Sequence, residues 1–225
     1  MDIHELDFIP LFNGLHEEQL NEISRFLVEK LYEKNQMILF ADELETKFFV
    51  ILDGNVKISR YTEEGREAIF AFLSAGDFFG EMALFENHYR NSSVMAIEDA
   101  RILAIHRYDL LKVLNKYPQI NINLLCEMTQ RIRRRNEHIK CLTLQNATGK
   151  VASTLLQFAD DLGSLNLGRI ELTKIPTHRD IANMVGTSRE TISRAIKSLT
   201  KCGHISREGK KLVICDYHRF RANFS

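Results

Sequence analysis

Residues 177–201, THRDIANMVGTSRETISRAIKSLTK, leave little room for anything but two short helices joined by a tight turn. Thr177 and Asp180 have the three-residue spacing in which a hydroxyl and a carboxylate cap a helix reciprocally. Ile181, Met184 and Val185 then recur at helical spacing, and Gly186 supplies a residue that takes positive φ without steric cost. Thr187 and Glu190 repeat the capping spacing, which predicts that a second helix restarts at once. In that helix Ile192, Ala195, Ile196 and Leu199 fall at i, i+3, i+4 and i+7 and form one buried stripe. Glu190, Ser193, Arg194 and Lys197 line the opposite side, with Ser188 and Arg189 at the helix start.

That outer face suits the reading of base edges. An arginine donates two parallel bonds to guanine, and a glutamate accepts from cytosine. Residues 205–216, ISREGKKLVICD, read as a strand, a Glu-Gly turn and a strand, hence a basic wing in which Lys210 and Lys211 meet phosphate. Taken alone, the helix pair also fits a packed αα-hairpin with a solvated charged face. Charge segregation favours the nucleic-acid reading. The chain is neutral overall, yet residues 1–117 hold 12 Lys and Arg against 21 Asp and Glu. Residues 118–145 hold 5 against 2, and residues 146–225 hold 13 against 7. An acidic front thus precedes a basic back, and phosphate attraction is local.

Other classes are disfavoured by what the chain lacks. No run approaches the length of a membrane span, and residues 1–8 lack the charged and apolar regions of an export signal. Cys126, Cys141, Cys202 and Cys215 are widely spaced, as expected of reduced thiols in the cytoplasm. The eight histidines include no His-x-His pair, which argues against a metal-dependent cupin enzyme. The front could also be a regulatory cyclic-nucleotide module of a kinase or channel, but that gives no reason for the helix pair.

After a helical stretch near residues 17–28, short apolar runs alternate with turn signals such as Asp53-Gly54, Glu64-Gly65 and Gly76-Asp77. Strands are expected at 48–52, 56–60, 68–73, 93–96 and 101–105, with a turn at 75–77 before Phe78. This spacing predicts an antiparallel β-barrel or jelly roll, and the fold class is α+β. A short helix around 108–115 leads to a long one starting near Pro118. There Leu124, Met128, Ile132, Arg135, Ile139 and Leu142 step by 4, 4, 3, 4 and 3, close to a coiled-coil repeat, so a homodimer seam is expected, the alternative being a helix packed on its own barrel. The domains expected are a sensing barrel at 1–117, a dimerisation helix at 118–145 and a winged helix-turn-helix at 146–225.

This order resembles the Crp/Fnr family of bacterial transcription regulators. IPLFNGL (9–15), GDFFGEMALF (76–85), NATGKVA (146–152) and above all TSRETISRAIKSL (187–199) carry the resemblance. It implies a homodimer on double-stranded DNA, at an inverted repeat with a TGA-like core, acting with RNA polymerase. Thr177, Ser188, Arg189, Glu190, Ser193, Arg194 and Lys197 are the implied DNA contacts, with Ser193 suited to a TTGA-type half-site. The implied effector is an anionic cyclic nucleotide such as cyclic AMP; a haem or nitric-oxide sensor is the alternative, for which His88 is the loop candidate.

The cassette implies an effector site at Gly80, Glu81, Met82, Ala83 and Arg90. Asn91 and Ser92 depart from its usual Ser/Thr-Ala, and Arg135 and Asn136 stand where the long helix would read adenine. Gly80 lets backbone approach a phosphate, Glu81 accepts from a ribose hydroxyl and Arg90 pairs with the phosphate. Arg135 in a parallel seam would face its own copy, a like-charge contact that an anionic effector or Glu81 would relieve, unless the side chain snorkels out of the seam to solvent.

Overall fold

The computed structural model describes residues 3–43, 46–82, 91–162, 164–166, 168–172, 176–209 and 211–224. They divide into two compact units, one of Met1–Arg66 with Phe70–Gln130, the other of Arg131–Ser225 with Glu67–Ile69.

The first unit opens with two 3-10 turns, Ile3–Phe8 and Pro10–Phe12, and helix α1, Glu17–Ser24. Strands β1 (Val28–Tyr32), β2 (Met37–Leu39), β3 (Lys47–Asp53), β4 (Val56–Tyr61), β5 (Glu67–Leu73), β6 (Phe78–Phe79), β7 (Ser93–Ala96) and β8 (Ala100–His106) follow. They form two four-stranded sheets ordered β1-β8-β3-β6 and β2-β7-β4-β5, each antiparallel where its pairings are described, as a jelly roll requires. One core lies among inward residues of both sheets, including Phe49, Ile51, Val56, Val94 and Ile102. A second joins Phe48, Val50 and Leu103 to Leu110 and Val113 of α2 (Arg107–Lys116) and to Ile120 and Leu124 of α3 (Pro118–Leu144). Alternation along β3 explains the split, because successive side chains point to opposite faces.

The long helix α3 corresponds to the segment expected at 118–145, but it is no separate body: the division between units falls within it, after Gln130.

In the second unit α4 (Ala147–Leu162) starts at a built cap, since Gly149 N donates to Asn146 Oδ1 at 2.9 Å. Then come β9 (Ser164–Asn166), β10 (Arg169–Leu172), α5 (His178–Val185), α6 (Arg189–Lys201), β11 (Ile205–Glu208), β12 (Lys211–Ile214) and α7 (Tyr217–Phe224). The sheet order is β11-β12-β10-β9. Val151, Leu155 and Phe158 of α4 are buried, as are Ile192 and Leu199 of α6, Leu212 of β12 and Phe220 of α7. Ser153 Oγ and Gln145 Nε2 both donate to the Phe224 carbonyl, which ties α7 to α4.

Among the described residues no helix is long and apolar enough to cross a membrane.

Candidate nucleic-acid interface and effector site

The helix pair is built by its caps. Thr177 accepts from Asp180 N at 3.2 Å while Asp180 Oδ2 accepts from Thr177 N at 3.0 Å, the reciprocal box expected from the spacing. Gly186 closes α5 in the left-handed region at φ 70°. The second cap corrects the sequence reading. Ser188, not Thr187, is the N-cap of α6, accepting from Thr191 N at 3.2 Å. Thr187 is committed to the preceding helix, its N–H donating to Ala182 O at 3.1 Å. Glu190 still serves the helix start. Its own backbone N–H, and after it the Ser188 hydroxyl, hold its carboxyl below the usual carboxylate range.

The two faces of α6 separate as expected. Ile192, Ala195, Ile196 and Leu199 are buried, while Arg189, Glu190, Arg194 and Lys197 are exposed and Ser193 is half-buried. Arg194 Nη2 rests 3.4 Å from Thr191 Oγ1, which lays its guanidinium along the outer face. The wing is β11 and β12 around Gly209 at φ 63°. It is pinned to β10 by Arg169 to Glu208 at 2.7 Å and Lys211 to Glu171 at 2.7 Å. Lys211, expected on phosphate, is therefore already held by a carboxylate, and the pair raises its pKa while lowering that of Glu171. Lys210 lies outside the described residues.

Two groups missed in the sequence sit on this face. His178, the first residue of α5, lies with Nε2 3.5 Å from Nη2 of Arg207 on β11. A lone histidine beside a cap gave no signal, since only folding brings the wing to it.

The effector cassette is partly described. Ser74 N donates to Asp77 Oδ2 at 2.9 Å and Gly76 N to Ile51 O at 2.9 Å, a turn that sets β6 beside β3. Phe78 packs 5.1 Å from Phe48 in one core, and Phe79 stacks 5.0 Å from Phe49 in the other. Anchored on both faces, β6 delivers Gly80 at φ 89°, a conformation that glycine adopts without strain, and then half-buried Glu81 and exposed Met82. The carbonyl of Asn91 accepts from Arg60 Nη1 at 2.8 Å, fixing the start of β7 to β4. Ala83, His88 and Arg90 lie outside the described residues. Arg135 and Asn136 are exposed on the second unit's part of α3. Among the described residues no three His, Cys, Asp or Glu cluster to hold a metal ion.

The residues expected at the seam divide by burial. Leu124 is buried in the first unit's core, and half-buried Met128 packs against that core. Leu142 is half-buried. Among the exposed residues of α3, one stripe runs Ile122, Leu125, Thr129, Ile132, Asn136, Ile139 and Thr143, stepping by 3, 4, 3, 4, 3 and 4. Ile132 and Ile139 lie on this exposed stripe, and Arg135 lies beside it.

Two family models match. Residues 29–117 match the cyclic nucleotide-binding domain, and residues 149–222 the Crp-like helix-turn-helix domain. The chain is 30% identical over 209 residues to the CRP-like cAMP-activated global transcriptional regulator of Mycobacterium tuberculosis, covering 93% of each. It is 31% identical over 194 residues to the cyclic AMP receptor protein of Thermus thermophilus, covering 86% of this chain and 87% of that one. The solved structure of FixK2 from Bradyrhizobium japonicum superposes with a TM-score of 0.74 at 26% identity, covering 88% and 97%.

Proposed function

The chain belongs to the Crp/Fnr family of transcription regulators, and from that premise we propose that it is a homodimeric, sequence-specific DNA-binding regulator controlled by a cyclic nucleotide. The observation that carries this reading is α6, a helix with one face buried and the other presenting Arg189, Glu190, Ser193, Arg194 and Lys197. Laid in a major groove, its first turns meet base edges. Arg189 and Arg194 are suited to guanine and Glu190 to cytosine, which favours a TGA-like half-site. RNA polymerase is the partner through which such a regulator would act.

The dimer reading rests on the exposed stripe of α3. With Asn136 at an a position, Leu125, Ile132 and Ile139 fall at d. Thr129 and Thr143 are polar in name only, because their hydroxyls donate to the carbonyls of Leu125 and Ile139 at 2.8 Å. Asn136 is then the seam residue that needs its own copy across the interface, a device that fixes register and strand number. Arg135, at the flank, meets solvent, so no anion is required to hold two copies together.

For the effector, Gly80 and Glu81 support a site for a ribose phosphate, and the family model supports the cyclic-nucleotide class. A nucleotide would bind the backbone at Gly80 and donate its 2′-hydroxyl to Glu81. Fluorescence anisotropy on an inverted-repeat duplex, with and without cyclic AMP, tests the reading. Specific binding that tightens with the nucleotide supports it. A visible haem band in the purified protein and indifference to nucleotides would replace the effector assignment.

A further inference from the structure

Four cations around the wing and the helix starts fall into two pairs. Arg169 and Lys211 are neutralised by Glu208 and Glu171. Arg189 and Arg207 have no carboxylate at salt-bridge distance among the described residues. Instead Arg207 stands beside an imidazole, its Nη2 3.5 Å from His178 Nε2, and the charge of Arg189 reaches the same ring. The three side chains come from three elements: His178 opens α5, Arg189 opens α6 and Arg207 lies on β11.

Every acidic group on these elements is engaged elsewhere. Asp180 Oδ2 accepts from the N–H and the hydroxyl of Thr177. Glu190 is held by its own N–H and by Ser188. Glu208 is paired with Arg169. Arg179, next along α5, is exposed and adds positive charge. The protein thus gathers two guanidiniums and a titratable ring, with Glu190 as the nearby anion that Arg189 and Arg194 feel, and no carboxylate among the described residues bridges to Arg207. Burial, and after it the charges of Arg207 and Arg189, hold His178 below the ordinary imidazole value of 6.5.

We propose that His178, Arg189 and Arg207 form a clamp for one backbone phosphate of DNA, and that closing the clamp takes up one proton per protomer at His178 Nε2. The proposal rests on the DNA-binding reading above. In the free protein Nε2 accepts from Arg207. A phosphate draws both guanidiniums to its oxygens, and their repulsion of a third positive charge is cancelled. Nε2 then takes a proton from solvent and turns from acceptor to donor toward the phosphate. The sign follows. Affinity is highest below the free-protein pKa of His178, falls as pH rises, and levels off above the pKa in the complex. Each pKa unit gained on binding corresponds to about tenfold in affinity per protomer. Because the contact is to phosphate, it is indifferent to sequence.

The test is anisotropy at fixed ionic strength from about pH 5.5 to 8.5, the range that brackets imidazole titration. An inverted-repeat duplex with TGA half-sites is compared with a scrambled one. Wild type should lose affinity with rising pH on both duplexes, with a limiting slope of about one proton per protomer. His178→Gln should be flat, while Arg194→Ala should lose its preference between duplexes and keep the slope. The His178 Cε1–H resonance should titrate higher with duplex than without. PH-independent binding by wild type overturns the clamp and leaves the DNA-binding reading intact. So does a slope that survives in His178→Gln, which would put the proton on another group such as His138. Inorganic phosphate that shifts the His178 titration as far as the duplex does overturns the assignment to the DNA backbone. Wild type that binds no duplex at any pH overturns the DNA-binding reading and the clamp together.

Discussion

Replacing Ile132 by alanine separates the two stripes of α3 by the sign of its effects. Ile132 is 59% exposed within one protomer. Full burial of an isoleucine is worth about 1.5–3 kcal/mol, so covering the exposed part is worth roughly 1–2 kcal/mol for each copy. Alanine keeps its Cβ in the seam, so the loss over both copies is about 2–3 kcal/mol. That raises the dimer dissociation constant roughly 30- to 150-fold. The protomer itself should not suffer, because alanine is the better helix former and the side chain removed was in solvent. Sedimentation equilibrium reads the first effect and thermal unfolding of dilute protein the second. Leu124→Ala should do the reverse. Leu124 is 6% exposed within the first unit's core, so its truncation costs about 2–5 kcal/mol of folding stability. A dimer constant unchanged by Ile132→Ala, or weakened as much by a surface change at Arg133, would refute the exposed stripe as the seam.

Arg194→Ala should cost about 1–3 kcal/mol on the specific duplex and relax one base position, with little loss on scrambled DNA; anisotropy on single-base variants checks it. Glu171→Gln frees Lys211 from its carboxylate and should strengthen binding to all sequences while steepening the salt slope by about one per protomer, read from affinity against salt. Gly54→Ala should destabilise the first unit by at least about 2 kcal/mol in denaturant unfolding. Its φ is 87°, and an added Cβ would sit 2.5 Å from the Asp99 carbonyl oxygen.

Where local chemistry decided the outcome, the sequence was legible. The Thr177–Asp180 box, the left-handed Gly186 and the buried stripe Ile192, Ala195, Ile196 and Leu199 all depend on neighbours within a turn or two. Strands β3, β4, β5, β7 and β8 were flagged by apolar runs and turn residues. Strand β1, VEKLY, went unread because it has no buried residue, and β2 because it spans three residues. Strands β9 and β10 were not anticipated either. The residues expected at the seam divided for a clearer reason. Helix α3 carries two apolar stripes, and periodicity cannot say which one the chain's own units cover. Leu124 and Cys141 are buried at home, which leaves Ile122, Leu125, Ile132 and Ile139 outside. Ser188 displaced Thr187 as the cap because Thr187 closes the previous helix. His178 and Arg207 lie 29 residues apart, and nothing in their spacing announces that the wing folds over the start of α5.

If α6 reads sequence in a nucleotide-controlled dimer, as proposed, the protein selects a repeated duplex site. Base-resolution footprinting of randomised duplexes selected by the protein, with and without cyclic AMP, tests this most directly. The account predicts an inverted repeat with TGA-like half-sites, about one helical turn between centres, protected more strongly with the nucleotide. Recovery of no sequence preference, or of a single unrepeated site indifferent to nucleotide, would contradict it.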